Sequence, residues 1–97
     1  MRIAFTEEAE IAERVDRYTF HARLTVNDPP LGEFRAAVVV ARHSDTHPNI
    51  WTLNGAVQSD NRTLDERKSQ ASEQAAGMVK AQALDAYRSY VKEHPNG

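Results

Sequence analysis

The chain has 97 residues, with 12 Lys and Arg against 14 Asp and Glu, 40% hydrophobic residues and no cysteine. That is the make-up of one small globular domain with a modest core, and it excludes disulfides, thiolate nucleophiles and cysteine-based zinc sites. With a formal charge of -2, a mean hydropathy of -0.65 and no run near the roughly 20 apolar residues of a membrane span, no membrane contact is expected.

Met1-Arg2-Ile3-Ala4-Phe5-Thr6-Glu7-Glu8 turns acidic before an apolar segment develops. The sequence therefore reads as leaderless and cytoplasmic, and the Asn61-Arg62-Thr63 sequon as a chance match. Charge is uneven. Glu7, Glu8, Glu10 and Glu13 make an acidic beginning, and Arg14, Arg17, Arg23, Arg35 and Arg42 outnumber Asp16, Asp28 and Glu33 in the segment after it.

Three parts are expected: a lead over 1–16, an antiparallel sheet over 17–59 and a helix over 63–93. The lead is ambiguous. Ile3 and Phe5 alternate as in a strand, whereas Thr6, Glu7 and Glu8 could cap a helix with Ile11 and Val15 one turn apart. A short extended segment followed by a helical turn is the preferred reading.

From Arg17 to Val26 the alternation is strict. Tyr18, Phe20, Ala22, Leu24 and Val26 share one face of a strand, and Arg17, Thr19, His21, Arg23 and Thr25 share the other. Asn27-Asp28-Pro29-Pro30-Leu31-Gly32 reads as a turn. A second strand, Glu33–Arg42, turns Phe34, Ala36, Val38 and Val40 inward and Arg35, Ala37, Val39 and Ala41 outward.

His43–Asn49 is expected as a loop before the short strand Ile50–Leu53. Asn54-Gly55 then signals a type I′ hairpin leading to Ala56–Ser59, or a bulge in a single strand. Thr63-Leu64-Asp65-Glu66 is a capping box. The helix it opens carries Leu64, Ala71, Ala75, Met78, Val79, Ala86 and Tyr90 on one stripe. Unless Gly77 breaks it, thirty residues give about 45 Å of helix, against about 30 Å for a nine-residue strand. The helix should overhang its sheet. The predicted core is Tyr18, Phe20, Leu24, Phe34, Val38, Val40, Trp51, Leu53, Leu64, Met78 and Val79.

If residues 6–15 are helical, the order α-β-β-β-α resembles a double-stranded-RNA-binding domain. Asp28-Pro29-Pro30-Leu31 stands where that family has a Gly-Pro-x-His loop, and Lys68, Ala71, Ala75 and Ala76 echo its last helix. Leu31 replaces the loop histidine, and Asp65-Glu66-Arg67-Lys68 replaces the basic cluster that grips phosphates. The resemblance is one of topology and assigns no site residue.

Catalytic signatures are missing. His43, Asp45 and His47 fall in a loop, match no His-x3-His spacing and have no evident fourth ligand, so no metal and no cofactor are assigned. His21 has neither a recognisable nucleophile nor an orienting carboxylate in the sequence around it, and no enzyme is expected.

Arg17, Arg23 and Arg35 share a strand face with His21 and Val39. Arginine forks suit phosphates, but the negative net charge and the absence of aromatic residues on that face make nucleic acid the secondary partner. Ala37, Val39 and Ala41 beside the arginines suit a protein partner better. Tyr87 and Tyr90 on the overhanging helix are candidate anchors, tyrosine being enriched at interfaces. The expected protein is thus an α+β domain, a three- to four-stranded antiparallel sheet with a long C-terminal helix on one face. It is read as a non-enzymatic protein-binding module (accessory, inhibitor or adaptor) that forms a homodimer, with Arg17, His21, Arg23, Arg35, Val39, Tyr87 and Tyr90 as its binding residues.

Overall fold

A computed structural model describes residues 4–14, 16–44, 47–57 and 62–95, with side chains omitted at 12–14, 47 and 48. The elements are β1 (Ala4–Arg14), β2 (Arg17–Asp28), β3 (Gly32–Ser44), β4 (His47–Leu53) and α1 (Leu64–Glu93). The four strands form one antiparallel sheet in the order β1-β2-β3-β4. α1 lies across one face, over β2 and β3 and touching β4. This is an α+β domain, as the alternation and the capped helix predict.

The lead departs from its expected form. Residues 6–14 make no helical turn; they belong to β1, which registers along the whole of β2. Ladder hydrogen bonds along eleven residues outweigh a single local cap at Thr6, and period-two patterning takes precedence over the Ile11–Val15 spacing; Val15 lies outside the described residues. The sheet therefore starts at Ala4, the element order is β-β-β-β-α, and the likeness to a double-stranded-RNA-binding domain fails at its first element.

The register explains the core. Phe20, Ala22, Leu24 and Val26 of β2 are buried with Val38 and Val40 of β3 and Leu53 of β4, and Tyr18, Phe34, Ala36, Trp51 and Leu64 pack against them. Tyr18 and Trp51 meet with ring centroids 5.9 Å apart, a tilted geometry that the ring quadrupoles favour. Lys68 stands 4.4 Å over the Tyr18 ring, tying the start of α1 to the start of β2 through a cation–π contact.

Both predicted turns form. Gly32 closes the Pro29-Pro30 turn at φ 92°, a conformation glycine takes without a Cβ clash. At Asn54-Gly55 both φ angles are positive, 51° and 81°, and Leu53 and Ala56 exchange backbone hydrogen bonds of 3.1 Å each way. That is the type I′ geometry. The returning arm is one bridge at Ala56; residues 58 and 59 lie outside the described residues. Asn54 also extends the β3–β4 ladder: its backbone N–H donates to the Val39 carbonyl at 2.8 Å, and its Oδ1 accepts from the Val39 N–H at 2.9 Å. The expected His43–Asn49 loop is shorter than predicted, because β3 continues to Ser44 and pairs it with His47.

The capping box is present. Thr63 Oγ1 accepts from the Glu66 N–H at 3.2 Å, and the Thr63 N–H donates to Glu66 Oε1 at 3.3 Å. Gly77 does not interrupt α1. The buried helical positions are Arg67, Ala71, Ala75, Val79 and Ala83, a strict four-residue series. Four residues turn an α-helix by about 400°, so the seam slips about 40° per step and winds around the helix. It is thereby suited to a twisted sheet.

This winding corrects the predicted stripe. Met78, placed in the core from the sequence, is 39% exposed, because it lies to one side of the seam. Arg67, absent from the predicted stripe, is 2% exposed and donates to Gln70 Oε1 at 2.7 Å. No described buried side-chain nitrogen or oxygen lacks a partner, as a buried guanidinium requires.

Three of the five buried helical residues are alanine. Beneath them the register aligns Ala9, Ala22 and Ala36 as an all-alanine rung across β1, β2 and β3. Small side chains on both sides let helix and sheet approach closely.

The strands are longer than predicted. The thirteen residues of β3 span about 43 Å, so sheet and helix nearly match in length. They are staggered instead: the long axis of the molecule is 59 Å. With Lys68 over Tyr18 and Lys80 3.6 Å from Glu7, the partner strand position of Leu24, α1 runs in the direction of β2. Its burial ends at Ala83, and residues 84–93 continue beyond.

The seam makes a discriminating prediction. Ala75→Leu should cost about 1–3 kcal/mol by overpacking, whereas Met78→Gln should stay within about 0.5 kcal/mol of wild type; urea unfolding followed by circular dichroism compares them.

Candidate functional site

The face of the sheet opposite α1 is open, and the register orders its side chains into rungs. Thr6, Thr25 and Glu33 form the first, then Glu8, Arg23 and Arg35, then Glu10, His21 and Ala37. Thr19 with Val39, and Arg17 with Ala41 and Thr52, follow. The face is charged near the Pro29-Pro30 turn and carries the small or apolar Ala37, Val39 and Ala41 along β3 further on, but its last rung holds the exposed Arg17 and the buried Thr52, with Ile50 of β4 38% exposed nearby.

Five of the seven sequence-predicted residues come together here: Arg17, His21, Arg23, Arg35 and Val39. Tyr87 and Tyr90 do not join them. They sit half-buried on α1, on the other side of the sheet, where Tyr90 stacks on His94 with ring centroids 4.3 Å apart. The predicted site is two surfaces.

The centre of the open face is a shallow depression of about 570 Å³ walled by Glu8, Glu10, His21, Arg23 and Arg35. Arg23 and Arg35 are direct cross-strand partners, a like-charge pair that repels unless compensated. Both are compensated: Arg23 pairs with Glu8 and Arg35 with Glu33. The hydrogen bond from Arg35 holds the Glu33 carboxyl below the usual carboxylate range, against the opposing effect of desolvation, and the charges of Arg35 and Arg23 add lesser contributions to the lowering.

Glu8, Glu10 and Glu33 are the residues the sequence reading missed. Glu8 and Glu10 were assigned to a separate acidic lead, but their spacing of two, alternating with Phe5, Ala9 and Ile11, was a strand signal facing the Arg23/His21 alternation of β2. Of the candidate metal set, Asp45 and the His47 side chain lie outside the described residues. Among the described residues no three His, Asp or Glu side chains gather as a metal site, and no helix is long and apolar enough to cross a membrane.

With its central guanidiniums already engaged by carboxylates, this face has a weakened claim on phosphate. No family model, no curated protein and no solved structure matches this chain.

The Glu33–Arg35 pair has a pH signature. A lowered folded-state value means that the pair's contribution is present above the unfolded carboxylate range and lost as pH falls through the folded value. Carboxyl-detected NMR titration should give Glu33 a midpoint below that of an ordinary glutamate, and Arg35→Ala should raise it towards the ordinary value.

Proposed function

We propose that the protein is a non-enzymatic protein-interaction module, an accessory, inhibitor or adaptor that works in the cytoplasm, with the open sheet face as its docking surface. The observation that carries this reading is the pairing of Arg23 and Arg35 with Glu8 and Glu33 on that same face. A phosphate-binding surface keeps its cations available; here they are matched in cis, and the adjoining Ala37, Val39, Ala41 and Ile50 supply apolar area. Ala37 is exposed and Val39 and Ala41 are partly buried, beside the buried Thr52, so the strip offers a modest apolar area to a partner.

Arg17, His21, Arg23 and Arg35 then act as the polar border, fixing orientation and excluding mismatched partners, while the apolar strip provides most of the affinity. The function needs no cofactor.

A photocrosslinking side chain at Ala37, compared with one at the exposed helical position Asp85, tests the proposal in cells. Position 37 should yield a discrete protein adduct that Asp85 does not, and Val39→Asp should reduce it by about tenfold, the effect of one charge buried at an interface centre. An adduct profile identical to that of Asp85, or adducts removed by nuclease, would refute it.

A further inference from the structure

β1 is an edge strand of eleven residues. Its helix-side residues are Phe5, Glu7, Ala9 and Ile11, in line with Val26, Leu24, Ala22 and Phe20. The β2 residues are covered by α1, but Phe5 and Ile11 are each 51% exposed. Between β1 and the helix runs a groove of about 220 Å³ whose lining is partly apolar, with Ala9, Ile11, Phe20 and Ala75, and partly polar, with Glu7 and Ser72. An edge of this length with two large apolar side chains on one face is a template for another strand.

We propose that a second copy of the chain occupies this edge, pairing β1 with β1 antiparallel about a two-fold axis through Glu8. The choice follows from the strand itself. A two-fold perpendicular to the sheet keeps like faces together, so position i meets position 2c − i with c a whole residue. With c at Glu8, Phe5 meets Ile11 of the other copy, Ile11 meets its Phe5, and Glu7 meets its Ala9. On the open face Thr6 meets Glu10, and Glu8 meets its own counterpart.

Centring on Glu7 places Phe5 against alanine and Ala4 against Glu10. Centring on Ala9 sets Glu8 against Glu10 and Phe5 against Glu13. Only the Glu8 centre joins both large apolar side chains to each other.

The acidic character of β1 is the obvious objection, since charged edges ordinarily discourage pairing. Here the two carboxylates nearest the axis are already engaged within their own chain, Glu8 by Arg23 and Glu7 by Lys80 at 3.6 Å. Glu10, the next along, meets threonine. The product is a continuous eight-stranded sheet with both helices on one side and two open faces joined into one on the other. This surface is separate from the docking face proposed above, and the two stand or fall independently.

Light scattering coupled to size exclusion, on the full chain across a concentration series, tests the pairing with two double variants. Wild type should be a dimer. Phe5→Lys with Ile11→Lys sets lysine against lysine twice across the axis and should raise the dimer dissociation constant at least about tenfold. Phe5→Lys with Ile11→Glu sets lysine against glutamate in both places and should restore the dimer, a rescue that also shows that these positions tolerate charge without loss of the fold. Val39→Asp should leave the dimer intact. A monomeric wild type, two double variants that dimerise equally, or a Lys/Glu variant as weak as the Lys/Lys variant would overturn the proposal.

Discussion

The structure depends on one constraint, the close approach of α1 to the sheet through alanine. Ala71, Ala75 and Ala83 of the helix face strands whose middle rung is Ala9, Ala22 and Ala36. Alanine loses no rotamer freedom on burial and favours helix, so the seam is inexpensive to order. It also contributes little area per residue, leaving Phe20, Leu24, Val26, Val38, Val40 and Val79 to supply most of the hydrophobic stabilisation. A seam this narrow covers β2 and β3 and reaches only the near part of β4. β1 is left largely uncovered on its helix side, with Phe5 and Ile11 exposed, and the opposite face is open over β1 and the charged end of β2 and β3.

The electrostatics follow from the same arrangement. A sheet with a bare face must carry side chains that tolerate water and one another, and the rung Glu8–Arg23–Arg35, with Glu33 beside it, resolves a like-charge contact by placing a carboxylate next to each guanidinium. Individually such exposed pairs stabilise little. Their importance is one of specification: Glu8 opposite Arg23 favours the observed register of β1 over a slip by one residue, which would turn Phe5 and Ile11 to the charged face.

Most of the fold was legible because it is written in period and punctuation. The alternation of β2 and β3, the Pro29-Pro30 and Asn54-Gly55 turns and the Thr63–Glu66 box each have a local physical cause, and each appears where that cause places it. What was not legible depends on partners distant in sequence. The period-two signal at Thr6–Glu13 competes with a local helical one, and a helical turn is the preferred reading there; the pairing partner that favours the strand, β2, is visible only in the register. Met78 and Arg67 exchanged roles for a related reason. A helical stripe read from sequence assumes a straight contact line, whereas this seam winds, carrying Arg67 under cover and Met78 out of it. Of the candidate site, the arginine, histidine and valine positions followed from alternation alone. The carboxylates that change their meaning needed the neighbouring strand.

The ending of the buried seam at Ala83 gives the helix two different halves. Its first turns are held by the capping box, the buried Arg67 and the Lys68–Tyr18 contact, whereas beyond Ala83 every helical residue is exposed or only half-buried. Opening free energy follows local burial, so backbone amides late in α1 should exchange with solvent through fraying, and those from Ala71 to Val79 only through disruption of the whole domain. The far end of the helix can therefore unwind and re-form without disturbing the sheet.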